Sequence, residues 1–278
     1  MDFAGISPQT WGQWPKPVDD ARRYGRRVRQ LLPPQDPTTP VDLVDRYASD
    51  ERPAPPDRPW VLANMVAGVD GATAVDGRSG PLGGPADRAA FTAIRAIPDV
   101  ILVAAGTARA EKYGPPKTPD TIQRARVARG QAAKPRIALV TRKVDLDFDS
   151  ELFSDPASRC LVVCPDDAPD DRVAAASAVA DIVASGHGGV DLVACLAHLR
   201  KLGASVVLAE GGPSLLGQLV AADLIDELCL TLSPALVGGA SARIVHGDAV
   251  AGGLAPLRLD RVVEHDGVLL LRYLRDRS

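Results

Sequence analysis

The residues best suited to chemistry in this 278-residue chain lie in Ser205-Val-Val-Leu-Ala-Glu210-Gly-Gly-Pro-Ser214. A continuously apolar run ends there in a carboxylate, two glycines and a proline, and a helical pattern follows. Continuous apolarity predicts a strand covered on both faces, as in a parallel sheet. Pro213 suits the first turn of a helix, where a missing N–H is no loss, and Leu215, Leu216, Leu219 and Val220 recur at helical spacing. Gly211 and Gly212 leave the backbone bare at that helix's N-terminus, where free N–H groups suit a phosphate. A plain strand-to-helix turn accounts for the glycines equally well, since short glycine motifs also arise by chance. Glu210 fits the plain turn less well, because α/β sheets bind ligands beyond the C-terminal ends of their strands. Four further polar residues are expected at strand ends: Asn64, Asp70, Thr107 and Arg142. Each alone has a local account, Asp70 before Gly71 as turn chemistry, Thr107 as an N-cap and Arg142 as an exposed charge. Together they would converge on one edge of a parallel sheet.

The elements that must position these residues alternate along the chain. Strands are expected at Trp60–Val66, Asp99–Ala105, Arg136–Thr141, Cys160–Cys164, Ile182–Ala184 and from Ser205. Helices are expected from Pro85 through Ile97, briefly from Gly106-Thr107, over Val173–Ala178, over Val190–Leu202 and after Pro213. Thr73 to Pro85 reads as a glycine-rich loop and Lys112 to Lys134 as a basic excursion. From Glu227 the character changes: Leu228–Leu232, Arg258–Glu264 and Val268–Leu274 read as strands, with Asp266-Gly267 as a hairpin turn. This pattern indicates an α/β fold, a mainly parallel central sheet flanked by helices with an antiparallel C-terminal hairpin. Residues 1–59 hold 11 of the 24 prolines and read as an arm, in which Val18 to Leu32 would form one arginine-rich helix.

Composition excludes several function classes. The apolar content of 46% and charged content of 24% are those of an ordinary globular chain. A net charge of −3 gives no electrostatic footprint for nucleic acid or an anionic membrane. No apolar run approaches the roughly 20 residues of a membrane span, and no signal-peptide core opens the chain. Cys160, Cys164, Cys195 and Cys229 lie in or beside apolar segments and are expected to be buried reduced thiols in a cytoplasmic protein. Their spacing gives no zinc pair, so no metal is expected. No Gly-x-Gly-x-x-Gly, P-loop or nucleophile elbow is present.

With these residues in place, the chain resembles the reductase domain of the bifunctional deaminase–reductase of riboflavin biosynthesis, which has a dihydrofolate-reductase-like fold. The likeness runs from about Arg58 to about Leu274, which divides the chain into a proline-rich N-terminal arm, 1–57, and a reductase domain, 58–278. Four motifs carry it: Asn64-x5-Asp70-Gly71, Asp99-Val-Ile-Leu-Val-Ala-Ala-Gly-Thr107, Glu210-Gly-Gly-Pro-Ser214, and Asp226-Glu227-Leu228 with Pro234-Ala-Leu-Val-Gly-Gly239. The resemblance implies a stand-alone reductase that uses NADPH to convert a phosphoribosylamino-pyrimidine to its ribitylamino product, and a homodimer. It implies cofactor contacts from Ala67, Pro81, Gly106, Thr107, Glu111, Thr141, Arg142 and Gly211 to Ser214, with Arg142 on the 2′-phosphate. Ser79 and Arg95 fall at substrate positions, Arg95 on the ribose phosphate, and Glu210, Asp70 and Asn64 at the reacting centre. The chain departs from the family in Gly68-Val69-Asp70-Gly71, where Ser-Leu-Asp-Gly is usual, and in Asn64, where bacterial members often carry Lys. Residues 1–59 contain none of the zinc-deaminase motifs. Two other functions stay open at this level: reduction of a pterin or dihydrofolate on the same fold, and non-catalytic binding of NADPH or a flavin precursor.

Overall fold

The computed structural model describes residues 28–36, 39 and 41–278. Ten strands form one sheet in the order β1-β9-β10-β8-β2-β7-β3-β4-β5-β6. Its centre is β2 (Trp60–Gly68), which lies parallel to β7 (Val206–Ala209) on one side and to β8 (Glu227–Ser233) on the other. Next to β7 come β3 (Val100–Ala104), β4 (Arg136–Val140), β5 (Leu161–Cys164) and β6 (Asp181–Ala184), all parallel. Beyond β8 the sheet turns antiparallel through β10 (Val268–Arg275), β9 (Leu257–His265) and β1 (Arg29–Leu32). The expected mixed α/β architecture is therefore present, because the inner strands are apolar on both faces and the last ones alternate.

Two layers of helices enclose the parallel part. Helices α1 (Leu43–Ala48), α2 (Pro85–Arg95), α3 (Ala105–Ala110) and α5 (Asp170–Val179) lie on one face, over Leu62, Ile101, Ile137, Val162 and Leu208. Helices α6 (Leu192–Lys201) and α7 (Pro213–Ala221) cover the other, over Val61, Leu102, Ala138 and Val207. The excursion after Lys112 contains α4 (Asp120–Ala128) and is tied back by one buried cation. Arg126, fully buried, donates to the carbonyls of Ala96, Pro98 and Ala132, and burial lowers its pKa to about 10.

The expected N-terminal arm needs correction where it is described. Residues 29–32 form the edge strand β1 and not the end of a helix, because Arg29 and Gln30 pair with Glu264 and Val263 of β9. The remainder of the expected Val18–Leu32 helix, up to Arg27, lies outside the described residues. Tyr47 of α1 is almost fully buried in the core shared with Ile94 and Leu270. Asp50 accepts both terminal nitrogens of Arg261 at 2.7 and 2.8 Å, and Arg52 holds the buried Glu227 at 2.9 Å on each oxygen. Arg272 bridges Glu227 and Asp260. The segment before residue 58 is thus part of the same fold, joined to it by a compact ionic cluster.

Candidate active-site cleft

Strand register sets the site. Ala63 pairs with Ala209 and Leu102 with Ala209, so Asn64 and Glu210 stand level where β2, β7 and β3 meet. The Glu210 N–H donates to Leu102 and the Gly211 carbonyl accepts from Ala104, which fixes the chain as it leaves β7. Gly211 has φ +80, a left-handed conformation that glycine adopts without steric cost. Gly212 is needed for a different reason: an added Cβ would lie 2.5 Å from the Thr107 hydroxyl. Helix α7 then begins with no side-chain cap, and its first turn is left with free N–H groups. Behind it, a Cβ on Gly217 would lie 2.0 Å from the His246 carbonyl, so α7 is braced tightly against the segment after Ala242.

A cleft of about 820 Å³ opens at this edge. Of the residues expected to act, Asn64, Ser79, Gly106, Thr107, Glu111, Glu210, Gly212 and Pro213 line it. Its outer wall is made of two loops, residues 73–79 and 237–242. They are stitched together where the Ser241 hydroxyl accepts from the Thr73 and Ala74 N–H groups and the Thr73 hydroxyl donates to the Ala242 carbonyl. Glu111 accepts the N–H and the hydroxyl of Ser79, both at 2.9 Å, and so holds the first loop to the end of α3.

Other expected residues sit differently. Arg95 does not face open cleft for a substrate phosphate: its Nε and Nη2 hold both oxygens of Glu210 at 2.7 and 2.6 Å. Its guanidinium lies over the rings of Phe91 and Tyr113. Glu210 therefore stands as half of a buried ion pair, with a third bond from the Tyr113 hydroxyl at 2.6 Å. Asp70 is not in the cleft wall. Its carboxylate accepts from the Val237 and Gly238 N–H groups at 2.8 and 2.7 Å, so it shapes the second loop from behind. Those backbone bonds, Gly238's first, hold its pKa below the usual carboxylate range. Ala67 is buried within β2 opposite Leu232, while Pro81 and Ser214 are exposed. The Thr141 hydroxyl accepts from the Val144 N–H, closing the turn that carries exposed Arg142. Ala67, Pro81, Thr141, Arg142 and Ser214 lie outside the cleft wall.

Residues 59–269 match the RibD C-terminal domain. The chain belongs to this family. Two RibD-family relatives are proteins named 2,5-diamino-6-ribosylamino-4(3H)-pyrimidinone 5′-phosphate reductase. The one from Archaeoglobus fulgidus is 27% identical over 183 residues, 66% of this chain and 83% of the relative. The one from Methanothermobacter thermautotrophicus is 28% identical over 204 residues, 73% and 91% of the two chains. Among solved structures, a pyrimidine reductase-like protein from Corynebacterium diphtheriae superposes with a TM-score of 0.76 at 23% identity, covering 86% of this chain and 100% of that one. That likeness is one of fold.

Within this RibD-family cleft, two residues escape sequence reasoning. Tyr113 follows a lysine in the left-handed region (Lys112, φ 52) in an irregular turn with no periodic signal. Burial, then the nearby Glu210 charge, push its phenol well above the usual range. Asp87 lies in the first turn of α2, where an acidic residue reads simply as a partner for the helix dipole. The structure puts it in the cleft wall, with the Gly83 backbone so close that a Cβ there would lie 2.6 Å from its carboxylate. Burial raises the Asp87 pKa, and the Thr231 hydroxyl and the Arg88 charge offset only part of that. Among the described residues, the side chains lining the cleft include four carboxylates, Asp76, Asp87, Glu111 and Glu210, and no lysine or arginine.

Proposed function

We propose that this chain is an NADPH-dependent reductase of a phosphoribosylamino-pyrimidine, yielding the ribitylamino product. The observation that carries this reading is one cleft lined by two unlike sets of groups. One set is the uncapped α7 N-terminus and bare Gly212 beside Thr107, which suits the pyrophosphate of a dinucleotide. The other is Asn64 and Asp87, polar groups at hand for a heterocycle. A carboxylate recognises an N–H/NH2 edge through two parallel bonds, and the 2-amino group in the relatives' printed substrate name creates that edge on a pyrimidinone.

Bound nicotinamide would supply the hydride; the protein's part is to hold, orient and shield. Thr107, Gly106 and the Gly212–Pro213 backbone would hold the cofactor, and Ser79, clamped by Glu111, would close the first loop over the substrate. Asn64 would hydrogen-bond the ring. The Arg95–Glu210 pair, saturated by Tyr113, serves as a rigid floor between β7 and α2 and not as a free base. Asp87, desolvated in the cleft wall, would accept both hydrogens of that edge, and the bound edge would return to its carboxylate the hydrogen bonds that burial removes. Arg142 with Lys143, exposed at the end of β4, remains our candidate for the 2′-phosphate of NADPH. The four free, buried cysteines agree with a cytoplasmic setting, and no helix among the described residues is long and apolar enough to cross a membrane.

The same N–H/NH2 edge occurs in pterins, so Asp87 also favours a second reading, reduction of a dihydropterin. NADPH oxidation should be followed with the 2-amino pyrimidinone phosphate, its uracil counterpart and dihydrofolate in parallel. The 2-amino pyrimidinone is expected to turn over fastest. Faster turnover of dihydrofolate would select the second reading, and tight NADPH binding without turnover on all three would overturn both.

A further inference from the structure

The cleft and its proposed substrate carry charge of the same sign. The lining holds the carboxylates of Asp76, Asp87, Glu111 and Glu210 and, among the described residues, no lysine or arginine. A ribose 5′-phosphate brings about −1.5 to −2 of charge at neutral pH, and like charges repel most strongly where water is scarce. Arg95, the cation that sequence places at a substrate position, is already engaged. Its Nε and Nη2 hold Glu210 at 2.7 and 2.6 Å, and its guanidinium lies over Phe91. A phosphate therefore needs cations at the rim of the cleft and not within it.

Two cations sit at that rim. Arg78 and Lys112 are, among the described residues, the two basic residues whose neighbours on both sides line the cleft, Gly77 and Ser79 for the first, Glu111 and Tyr113 for the second. Both are exposed, and neither side chain has an ion-pair or hydrogen-bond partner among the described residues. Each stands on fixed backbone. Val75 and Arg78 exchange hydrogen bonds at 2.9 and 3.0 Å around Asp76 (φ 48) and Gly77 (φ 75). Those are the two positive angles of a type I′ turn, which Asp-Gly suits. Lys112 follows the C-cap of α3 in the left-handed region (φ 52), a conformation that lysine seldom adopts and that persists mainly at functional sites. Glu111 joins the two segments by accepting the Ser79 N–H and hydroxyl. The cations next to that clamp thus share one stretch of rim.

We propose that Arg78 and Lys112 grip the 5′-phosphate of the substrate from the rim and so select the phosphorylated compound over its dephosphorylated form. This rests on the reading of the substrate as a ribose 5′-phosphate derivative and adds the residues that recognise the phosphate. Arg78 supplies a planar fork for two phosphate oxygens, and Lys112 a point charge beside it. Neither touches the reacting atoms, so their effect is on capture and enters through KM. Because both stand in water, the attraction weakens as salt is added. The 2′-phosphate of NADPH is the other phosphomonoester in the reaction, and the test separates the two.

Initial rates with the 2-amino pyrimidinone ribose 5′-phosphate and with its dephosphorylated form give the preference for phosphate as a ratio of kcat/KM. In Arg78→Ala and in Lys112→Ala that ratio should fall about tenfold, through KM. The double variant should fall further and lose the salt dependence of KM, while Arg78→Lys recovers part of the ratio. Both side chains are exposed, so circular dichroism melts should match the wild type. A double variant whose ratio stays within about twofold of the wild type overturns the proposal, and so does a wild type indifferent to the phosphate. In parallel titrations, weaker binding of NADPH but not of NADH by the variants would give the pair to the cofactor instead. Should neither pyrimidinone turn over, the proposed reaction fails, yet the phosphate site is still read with ribose 5-phosphate as the probe. Phosphorus-31 line broadening by the wild type that disappears in the double variant upholds the site; equal broadening by both rules it out.

Discussion

Glu210 and Asp87 are two carboxylates of one cleft in opposite circumstances. Glu210 is fully paired by Arg95 and Tyr113, whereas Asp87 is desolvated without comparable compensation. Replacing Glu210 by Gln strands a buried guanidinium, which costs about 3–5 kcal/mol, so a fall in melting temperature should accompany any loss of turnover. Tyr113→Phe keeps the ion pair and removes one hydrogen bond, about 1 kcal/mol; thermal melts of the two variants should rank in that order. Equal melts would mean that Glu210 is not committed to Arg95. Asp87→Asn should leave stability equal or better, because burial penalises the charged form that Asn cannot adopt, while kcat/KM falls about ten- to a hundredfold because the amide cannot accept both hydrogens of the edge. Wild-type kcat/KM should rise as pH rises through the raised Asp87 pKa, since only the carboxylate accepts both bonds of the edge, and the Asn variant should lack that limb. A retained limb would place the titrating group elsewhere. Arg142→Ala should weaken NADPH about ten- to a hundredfold and leave NADH nearly unchanged; a titration in which both cofactors weaken equally would put Arg142 nearer the pyrophosphate.

At the scale of elements, the ionic cluster makes β1 and α1 part of the domain. Deleting residues 1–50 removes Tyr47 and Asp50 and leaves Arg261 buried without its carboxylate. Losing a buried aromatic and breaking a buried pair each cost about 3–5 kcal/mol, against a total stability of about 5–15 kcal/mol. Cooperative unfolding should therefore vanish in that truncation, as calorimetry would report; a sharp transition near that of the full chain would show the clamp to be dispensable. Glu227 carries the acid side of the same cluster. Burial alone would raise its pKa, but Arg52 and Arg272 outweigh burial and hold it at about 2, against 4.5 for a free glutamate. A depressed carboxylate contributes stability fully present above pH 4.5, which is lost as pH falls toward 2. That contribution is on the order of 3 kcal/mol. Glu227→Gln should be less stable at neutral pH and should show a flatter acid limb in denaturant melts taken from pH 6 down to pH 3.

For the whole molecule, the parallel half was legible because its signals are local. The runs of β3 and β7, Pro85 and Pro213 at helix starts, and Asp266-Gly267 at the hairpin each declare themselves within a few residues. The site was legible to the same depth: Glu210, Gly212 and Thr107 sit at turns. What stayed hidden depends on partners far along the chain. Arg29–Leu32 has no strand pattern of its own and becomes one by pairing with β9. Asp50 meets Arg261 across 211 residues, and Arg52 meets Glu227 across 175. Arg95 reads as a free cation in sequence because nothing local tells that Glu210 and Tyr113 enclose it.

In β8, Leu228, Leu230 and Leu232 stay partly exposed while Glu227, Cys229 and Thr231 are buried, and this outward pattern has a further consequence, for how the chain finds its register. Side chains alternate with period two, so sliding the strand by one residue exchanges its faces. A slipped β8 would carry Leu228, Leu230 and Leu232 under α1 and α2 and release Glu227 to water. For a lone chain in the act of folding, such a slip satisfies both water and oil locally. The native register is selected by groups that only the correct pairing unites, Arg52, Arg272 and Glu227. Late docking of residues 47–52 would then be the step that discards the slipped form, and variants lacking Arg52 should refold slowly, with a population trapped in the alternative pairing.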